Sequence, residues 1–566
     1  MTQRITIDPI TRIEGHLRVD VAVDRGAVSD AWVSATMFRG LETILQGRDA
    51  REAWLFAQRI CGVCTTVHAI ASVRAVEDAL KLEIPANAQY IRNLILIHHA
   101  LRDHAVHFYQ LSSLDWVDVM QVAKADPSRA ASLAEDHSLW VRNSRAEMKT
   151  TQEKMVHMVQ GRQLGIFANG YWGHPAMHLR PEANLVLLSH FLQSFEFQRK
   201  SSQIVAMLGG KTPHIQNLTV GGVANAINLD GESTLGMASL ESIRALIAEV
   251  AEFVHQVYFI DACTLAGYYP EGFKTGKGSD IYLAVPDLPR DARAQQFDLP
   301  GGFIEWPSGA APNHFAPYND AEFRSAVSED TVHAYYSGGK ALHPWKGETV
   351  PELTEWQPDR KYSWCKAARY RGQPAEVGPL AQVLAGYLQG HARTRKWTNL
   401  ALDRVSAIAG RKIGVEHLRS TMGRNLARAI RAAMLAELAQ EHWSLLFNNI
   451  AGGDCTTHNV PHFPGGEVSG VGIHEAPRGA LSHWVVLDKG NIKNYQAVMP
   501  STWNASPRDK LGTRGPYEAA LVGTPIADAE RPLEALRTIH SYDPCMACAC
   551  HTFDSSGRKI AVTPIP

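Results

Sequence analysis

No stretch of this chain strings together the roughly 18 apolar residues that a membrane span requires. The most hydrophobic run, Leu94 to Leu101, is broken by His98 and His99. The N-terminus, Met1-Thr2-Gln3-Arg4-Ile5-Thr6-Ile7-Asp8-Pro9, lacks the apolar core of a secretion signal. Both absences predict a soluble chain that relies on something else if it works outside the cytoplasm. Neither sign of charge is in excess: 56 basic residues face 57 acidic ones, for a net charge of −1. That removes the electrostatic footprint of a nucleic-acid binder, and no block of like charges reads as a binding tail. Cysteine is scarce, with eight in 566 residues, too few for a disulfide scaffold. Internal repeats, low-complexity segments and clear linkers are missing as well.

The 45% hydrophobic content is enough to bury one large core or a few ordinary domains. Alternation in Leu17-Arg18-Val19-Asp20-Val21-Ala22-Val23 predicts a strand ending at an Asp-Arg-Gly turn. Helical periodicity covers Arg51 to Leu82, Asn87 to about Leu111, Pro181 to Leu208 before Gly209-Gly210, and roughly Leu240 to Leu265. Residues 268–378 are rich in Gly, Pro, Trp and Tyr, with strand-like pieces such as Ile281 to Val285. Their aromatics need burial, so this region is expected to pack on the helices. Long helices return from about Leu380 to Asn449, and the remainder predicts short strands among Gly and Pro. The expected fold is α+β, mainly helical, in one extended unit.

Five of the cysteines fall in two clusters, Cys61-Gly62-Val63-Cys64 and Cys545-Met546-Ala547-Cys548-Ala549-Cys550. A Cys-x-x-Cys turn aims two sulfurs at one centre, so two turns make a four-thiolate site for a soft metal. Cys64 and Cys545 lie 481 residues apart. Closing such a loop costs on the order of 5 kcal/mol in entropy, so the rest of the fold must hold the ends together. Softness alone leaves structural zinc, redox dithiols and a catalytic metal all open.

The surroundings of these pairs are more specific. Arg12-Ile13-Glu14-Gly15-His16, Arg39-Gly40-Leu41-Glu42, Arg59 to His68, Glu475-Ala476-Pro477-Arg478-Gly479 and Asp543-Pro544-Cys545-Met546-Ala547-Cys548 resemble, in order, the signature blocks of the nickel–iron hydrogenase large subunit. Asp103 to Tyr109, Phe167 to Pro175 and Gly209 to Asn217 resemble the family too, so the likeness spans essentially the whole chain. In length and wording it is closest to the membrane-associated, respiratory type. The resemblance implies a large-subunit fold with long central helices and small peripheral sheets. It implies reversible heterolytic cleavage of dihydrogen at a nickel–iron centre whose iron carries carbon monoxide and cyanide. Cys61 and Cys545 would be terminal nickel ligands, and Cys64 and Cys548 would bridge the two metals. Glu14 would relay protons beyond Cys545. Arg478 would cover the open side of the site, paired with Asp103 and Asp543, and His68 would donate to a bridging sulfur. Glu42, His551 and the backbone carbonyl of Ala497 would hold a magnesium (or iron) ion.

By the same resemblance an endopeptidase removes Thr552–Pro566, leaving residues 1–551 as the mature domain. Cys550 and Thr552 depart from the family's usual residues at that junction. The few remaining cysteines cannot hold a cluster, so electrons must leave through an iron–sulfur small subunit, in a heterodimer or a dimer of heterodimers. The resemblance adds a membrane anchor that reduces quinone, nickel-insertion proteins, and export with the small subunit to the periplasmic side of the membrane. The alternative is a metal-free or zinc-stabilised subunit of an oxidoreductase complex; retention of all four cysteines argues against the metal-free form. Other signals are weaker. Gly210-Lys211-Thr212 lacks the earlier glycine and the strand of a phosphate loop. His98, His99, His104 and His107 are read as structural or surface residues, and Cys263, Cys365 and Cys455 as buried inert thiols.

Overall fold

The computed structural model describes residues 3–168, 170–307 and 311–549, with side chains up to Ala547. The sulfur of Cys548, all of Cys550 and His551, and the segment 552–566 lie outside the described residues.

The N-terminal alternation forms a three-stranded antiparallel sheet of β1 (Gln3–Ile7), β2 (Leu17–Asp24) and β3 (Ala27–Ala35). Leu17, Val19, Val21 and Val23 are its buried face. Arg25 and Gly26, both at positive φ, turn the chain between β2 and β3. Then come the helices: α1 (Thr65–Leu80), α2 (Ala86–Val106), α3 (Pro181–Gly209), α4 (Met237–Phe253) and α5 (Phe259–Tyr268). A π-helical turn, Val254–Tyr258, joins α4 to α5, so the single helix expected near 240–265 is one rod with an extra residue in its winding. After a region of short strands follow α6 (Pro379–Leu388), α7 (Ala392–Ala409) and α8 (Thr421–Ala451). Helix α8 buries an unbroken run from Thr421 to Ala436, the mark of a helix surrounded on all sides. It packs against α2, α4, α5, α6 and α7, and α2 packs in turn on α3.

Two expectations need correction. The helical run from Arg51 to Leu82 is not continuous, because Cys61 to Cys64 form a non-helical turn ahead of α1. The last part of the chain holds long strands rather than short ones: β4 (Glu467–Ala476), β5 (Gly479–Asp488) and β6 (Asn491–Val498) form an antiparallel meander. Glycines there sit inside the strands instead of ending them. Strand β4 lies on α1, and a Cβ at Gly472 would come within 1.9 Å of the Ala71 carbonyl oxygen. That glycine permits close helix–strand contact and breaks nothing. Among the described residues no helix is long and apolar enough to cross a membrane.

Candidate metal centre

Cys61 follows a short helical turn in extended backbone (φ −139°, ψ 147°). Its sulfur accepts the backbone N–H groups of Val63 and Cys64, each at 3.2 Å. These bonds replace helical ones and turn both sulfurs of the pair to one side. Cys545 arrives from the other end of the chain by pairing with the backbone of Glu14. The Glu14 N–H donates to the Pro544 carbonyl at 3.3 Å, and the Met546 N–H donates to the Glu14 carbonyl at 2.7 Å. Gly15 is required for this approach: its φ is +80°, and a Cβ would lie 2.4 Å from the Ala547 backbone nitrogen.

The result is a tight sulfur group. Cys545 Sγ lies 3.3 Å from Cys61 Sγ and 3.5 Å from Cys64 Sγ, and the three residues are buried. All three sulfurs lie within 4.8 Å of one another. Buried thiolates at such spacing repel each other unless a cation lies among them. Sulfur donors suit a soft transition metal and not a hard, oxygen-seeking one. The donor set therefore fits a thiophilic metal centre.

Glu14 reaches this group from the strand-like contact just described. Cys545 Sγ lies 3.4 Å from Glu14 Oε2, which also accepts the Ala547 N–H at 3.0 Å. Burial, then the negative charge of Cys61, pushes the Glu14 carboxyl up to about 7. Arg478 occupies the turn between β4 and β5 and shares a small enclosed cavity with Cys64, His68, Pro477, Leu481 and Cys545. Its Nη1 donates to Asp103 Oδ2 at 3.1 Å, its Nη2 to Asp543 Oδ1 at 2.9 Å, and its Nε to the Asp543 carbonyl at 3.0 Å. Burial opposes its charge, but Asp543, Cys545 and Asp103 outweigh that and hold the guanidinium firmly protonated. His68, on the first turns of α1, sets Nδ1 3.0 Å from Nε2 of His483. Burial lowers its basicity to about 4, so the imidazole is neutral at physiological pH.

Glu42 and Ala497 also meet. Glu42 Oε1 accepts the Ala497 N–H at 3.1 Å, and Oε2 receives Lys366 Nζ at 3.0 Å and the Thr349 hydroxyl. Lys366 also donates to Gln496 Oε1 at 2.7 Å and lies 3.5 Å from Glu329. Lys366, Gln496 and Glu329 escaped the sequence reading, because they sit in segments with neither periodicity nor motif. Arg428 and Arg431 escaped it too, hidden in the apolar run of α8. His98, His99, His104 and His107 are all buried, which removes the surface alternative. Cys263 and Cys365 are buried, but Cys455 is exposed, on a loop after α8, and corrects the expectation of a buried thiol.

Comparison with known proteins agrees in one direction. The family model for nickel-dependent hydrogenase matches residues 39–551, and a HoxL-like model matches residues 4–38. The chain is 49% identical over 561 residues to the hydrogenase-2 large chain of Escherichia coli strain K12, covering 99% of each. It is 40% identical to the hydrogenase-1 large chain of the same organism, covering 99% of this chain and 96% of that one. Among solved structures, the Ni-Fe-Se hydrogenase of Desulfovibrio vulgaris Hildenborough in its as-isolated oxidised state superposes with a TM-score of 0.78. There the identity is 31%, with 97% of this chain and 100% of that chain covered.

Proposed function

The chain belongs to the nickel-dependent hydrogenase family as a large, catalytic subunit, and from that premise we propose how its residues serve reversible cleavage of dihydrogen into protons and electrons. Cys61, Cys64, Cys545 and Cys548 would hold the nickel–iron group, with carbon monoxide and cyanide on the iron. When bound, that group supplies the open metal position at which dihydrogen is polarised and split. The observation that carries the reading is the buried trio of sulfurs with a carboxylate on one of them.

The protein's own part is proton handling and exclusion of water. The Cys545 sulfur would hand a proton to Glu14 Oε2; the 3.4 Å between them supports this. A carboxyl titrating at about 7 accepts and releases that proton with little bias near neutral pH. Arg478 stays cationic and, fixed by Asp103 and Asp543, would cover the open side of the site. Neutral His68 would donate toward a cysteine sulfur of the site, with His483 orienting its ring. Glu42, Ala497 and His551 would hold a magnesium (or iron) ion, with Lys366 and Gln496 beside it.

Electrons would pass to the iron–sulfur clusters of a small subunit and on to the quinone pool through a membrane anchor, at the periplasmic face. Among the described residues Cys263, Cys365 and Cys455 lie apart and form no cluster set. The mature domain would be residues 1–551, with 552–566 removed by the maturation endopeptidase after nickel insertion. Metal analysis and infrared spectroscopy of the purified protein test the reading. Nickel and iron near one each, with bands of metal-bound carbon monoxide and cyanide, are expected; zinc alone, with no such bands, would overturn it.

A further inference from the structure

Behind Arg478 lies a second set of buried cations. Helix α8 directs Arg428 and Arg431, neighbours on one helix face, at the end of β4. Arg431 Nη2 donates to the Glu475 carbonyl at 2.6 Å and Nη1 to the Ala476 carbonyl at 3.1 Å. Arg428 Nη1 donates to the Pro477 carbonyl at 2.8 Å. Successive carbonyls leading into Arg478 are thus held by two guanidiniums. The guanidiniums are anchored in turn. Arg431 bonds Asp287 Oδ2 at 2.9 Å and Gln382 Oε1 at 2.6 Å, and Arg428 lies 3.4 Å from Asp543 Oδ2. His104 of α2 sits between them, with Nδ1 3.4 Å from Arg428 Nη1 and Nε2 3.2 Å from Arg431 Nη1. The residue before it, Asp103, is the carboxylate that takes Arg478.

Stability alone does not call for this arrangement. Buried ion pairs are commonly no more stabilising than apolar side chains of the same volume. What guanidiniums add is fixed direction, through several planar donors at once. The turn they hold needs such support. Pro477 has no N–H to offer, and Gly479, at φ +123°, lies so close to Gly378 that a Cβ would meet its nitrogen at 2.4 Å.

We propose that Arg428 and Arg431, spaced by His104, are positioning residues that lock the Glu475–Pro477 backbone so that Arg478 meets Asp103 and Asp543 above the thiols. The proposal rests on the hydrogenase reading of that site. The test uses the complete enzyme with its small subunit and the variants Arg431→Lys, Arg478→Lys and their combination. Arg431→Lys keeps the charge beside Asp287 but cannot span two carbonyls and Gln382 together. It is expected to load nickel and iron fully and to lose about 10²-fold in kcat rather than in KM, the scale of an ångström's misplacement. The infrared bands should shift, and amide exchange should rise in residues 475–480 without rising elsewhere. The double variant should be no slower than Arg478→Lys, because both changes act on one group. Turnover within threefold of wild type, losses that multiply in the double variant, or exchange that rises evenly across the chain would each overturn the proposal. If Arg431→Lys does not assemble, Gln382→Leu removes one neutral acceptor and should give a smaller loss in the same direction; no loss would count against the clamp. Wild-type protein without nickel or iron would defeat the hydrogenase reading, whereas the local exchange result decides the clamp independently.

Discussion

Glu14→Gln changes one oxygen to an amide nitrogen and little else in shape. The carboxylate it replaces lies 3.4 Å from Cys545 Sγ and accepts the Ala547 N–H at 3.0 Å. Its carboxyl titrates at about 7, against 4.5 for an unperturbed glutamate. An unperturbed glutamate would hold a proton at pH 7 only at a cost of roughly 3 kcal/mol. At about 7 that cost nearly vanishes, so proton arrival and departure are balanced. Glutamine cannot take the proton at all. Loss of a positioned proton acceptor is typically worth about 10² to 10⁴ in rate, and hydrogen oxidation by the variant should fall by that factor with nickel content unchanged. The pH profile carries the sign. In oxidation the ionised carboxylate is the acceptor, so the wild-type rate should rise with pH through about 7; hydrogen evolution needs the protonated form and should show the opposite slope. The assay is hydrogen-dependent dye reduction on metal-loaded protein between pH 5 and 9. Fully loaded Glu14→Gln with turnover within threefold of wild type would refute the reasoning, because the proton would then be leaving by another group.

Other outcomes follow from the same geometry. Gly15→Ala forces a Cβ against the Ala547 nitrogen at 2.4 Å in a left-handed backbone; nickel content should collapse, and normal loading measured by elemental analysis would contradict the closure described here. Gly472→Ala pushes α1 off β4 and should cost ~1–3 kcal/mol, read as a lower Tm. Glu518 is buried with Oε1 accepting the Val33 N–H at 3.1 Å and the Tyr362 hydroxyl at 2.9 Å, and burial pushes it up to about 7. Its folded value exceeds its unfolded one, so its contribution to stability is complete below about 4.5 and is lost as pH rises through about 7. Tm measured against pH should therefore fall less steeply over that window in Glu518→Gln than in wild type, and identical slopes would rule Glu518 out. Mass spectrometry of nickel-loaded protein should find the chain ending at His551; an intact tail on loaded enzyme would sink the maturation proposal.

The sequence by itself determined many of the local elements and, through its resemblance to a known family, the class of chemistry. Leu17 to Val23 alternate because a half-buried strand has a period of two, and α3 stops at Gly210 because that residue takes a positive φ. The Cys-x-x-Cys pairs, with Glu14, Arg478, Asp103, Asp543 and His68 in their motifs, were legible because those blocks are contiguous in the chain. What tertiary structure alone decided is how the separate blocks meet. Cys545 lies against Cys61 only because Glu14 pairs with residues 544–546 and Gly15 admits them at close range. Lys366 on Glu42, and Arg428 and Arg431 behind Arg478, had no signal in sequence. Each is a long side chain reaching from an unremarkable segment to a carbonyl or carboxylate far away in the chain. Period and motif report what neighbours in sequence do; two guanidiniums clamping three carbonyls between them are fixed by packing, and packing is a property of the whole fold.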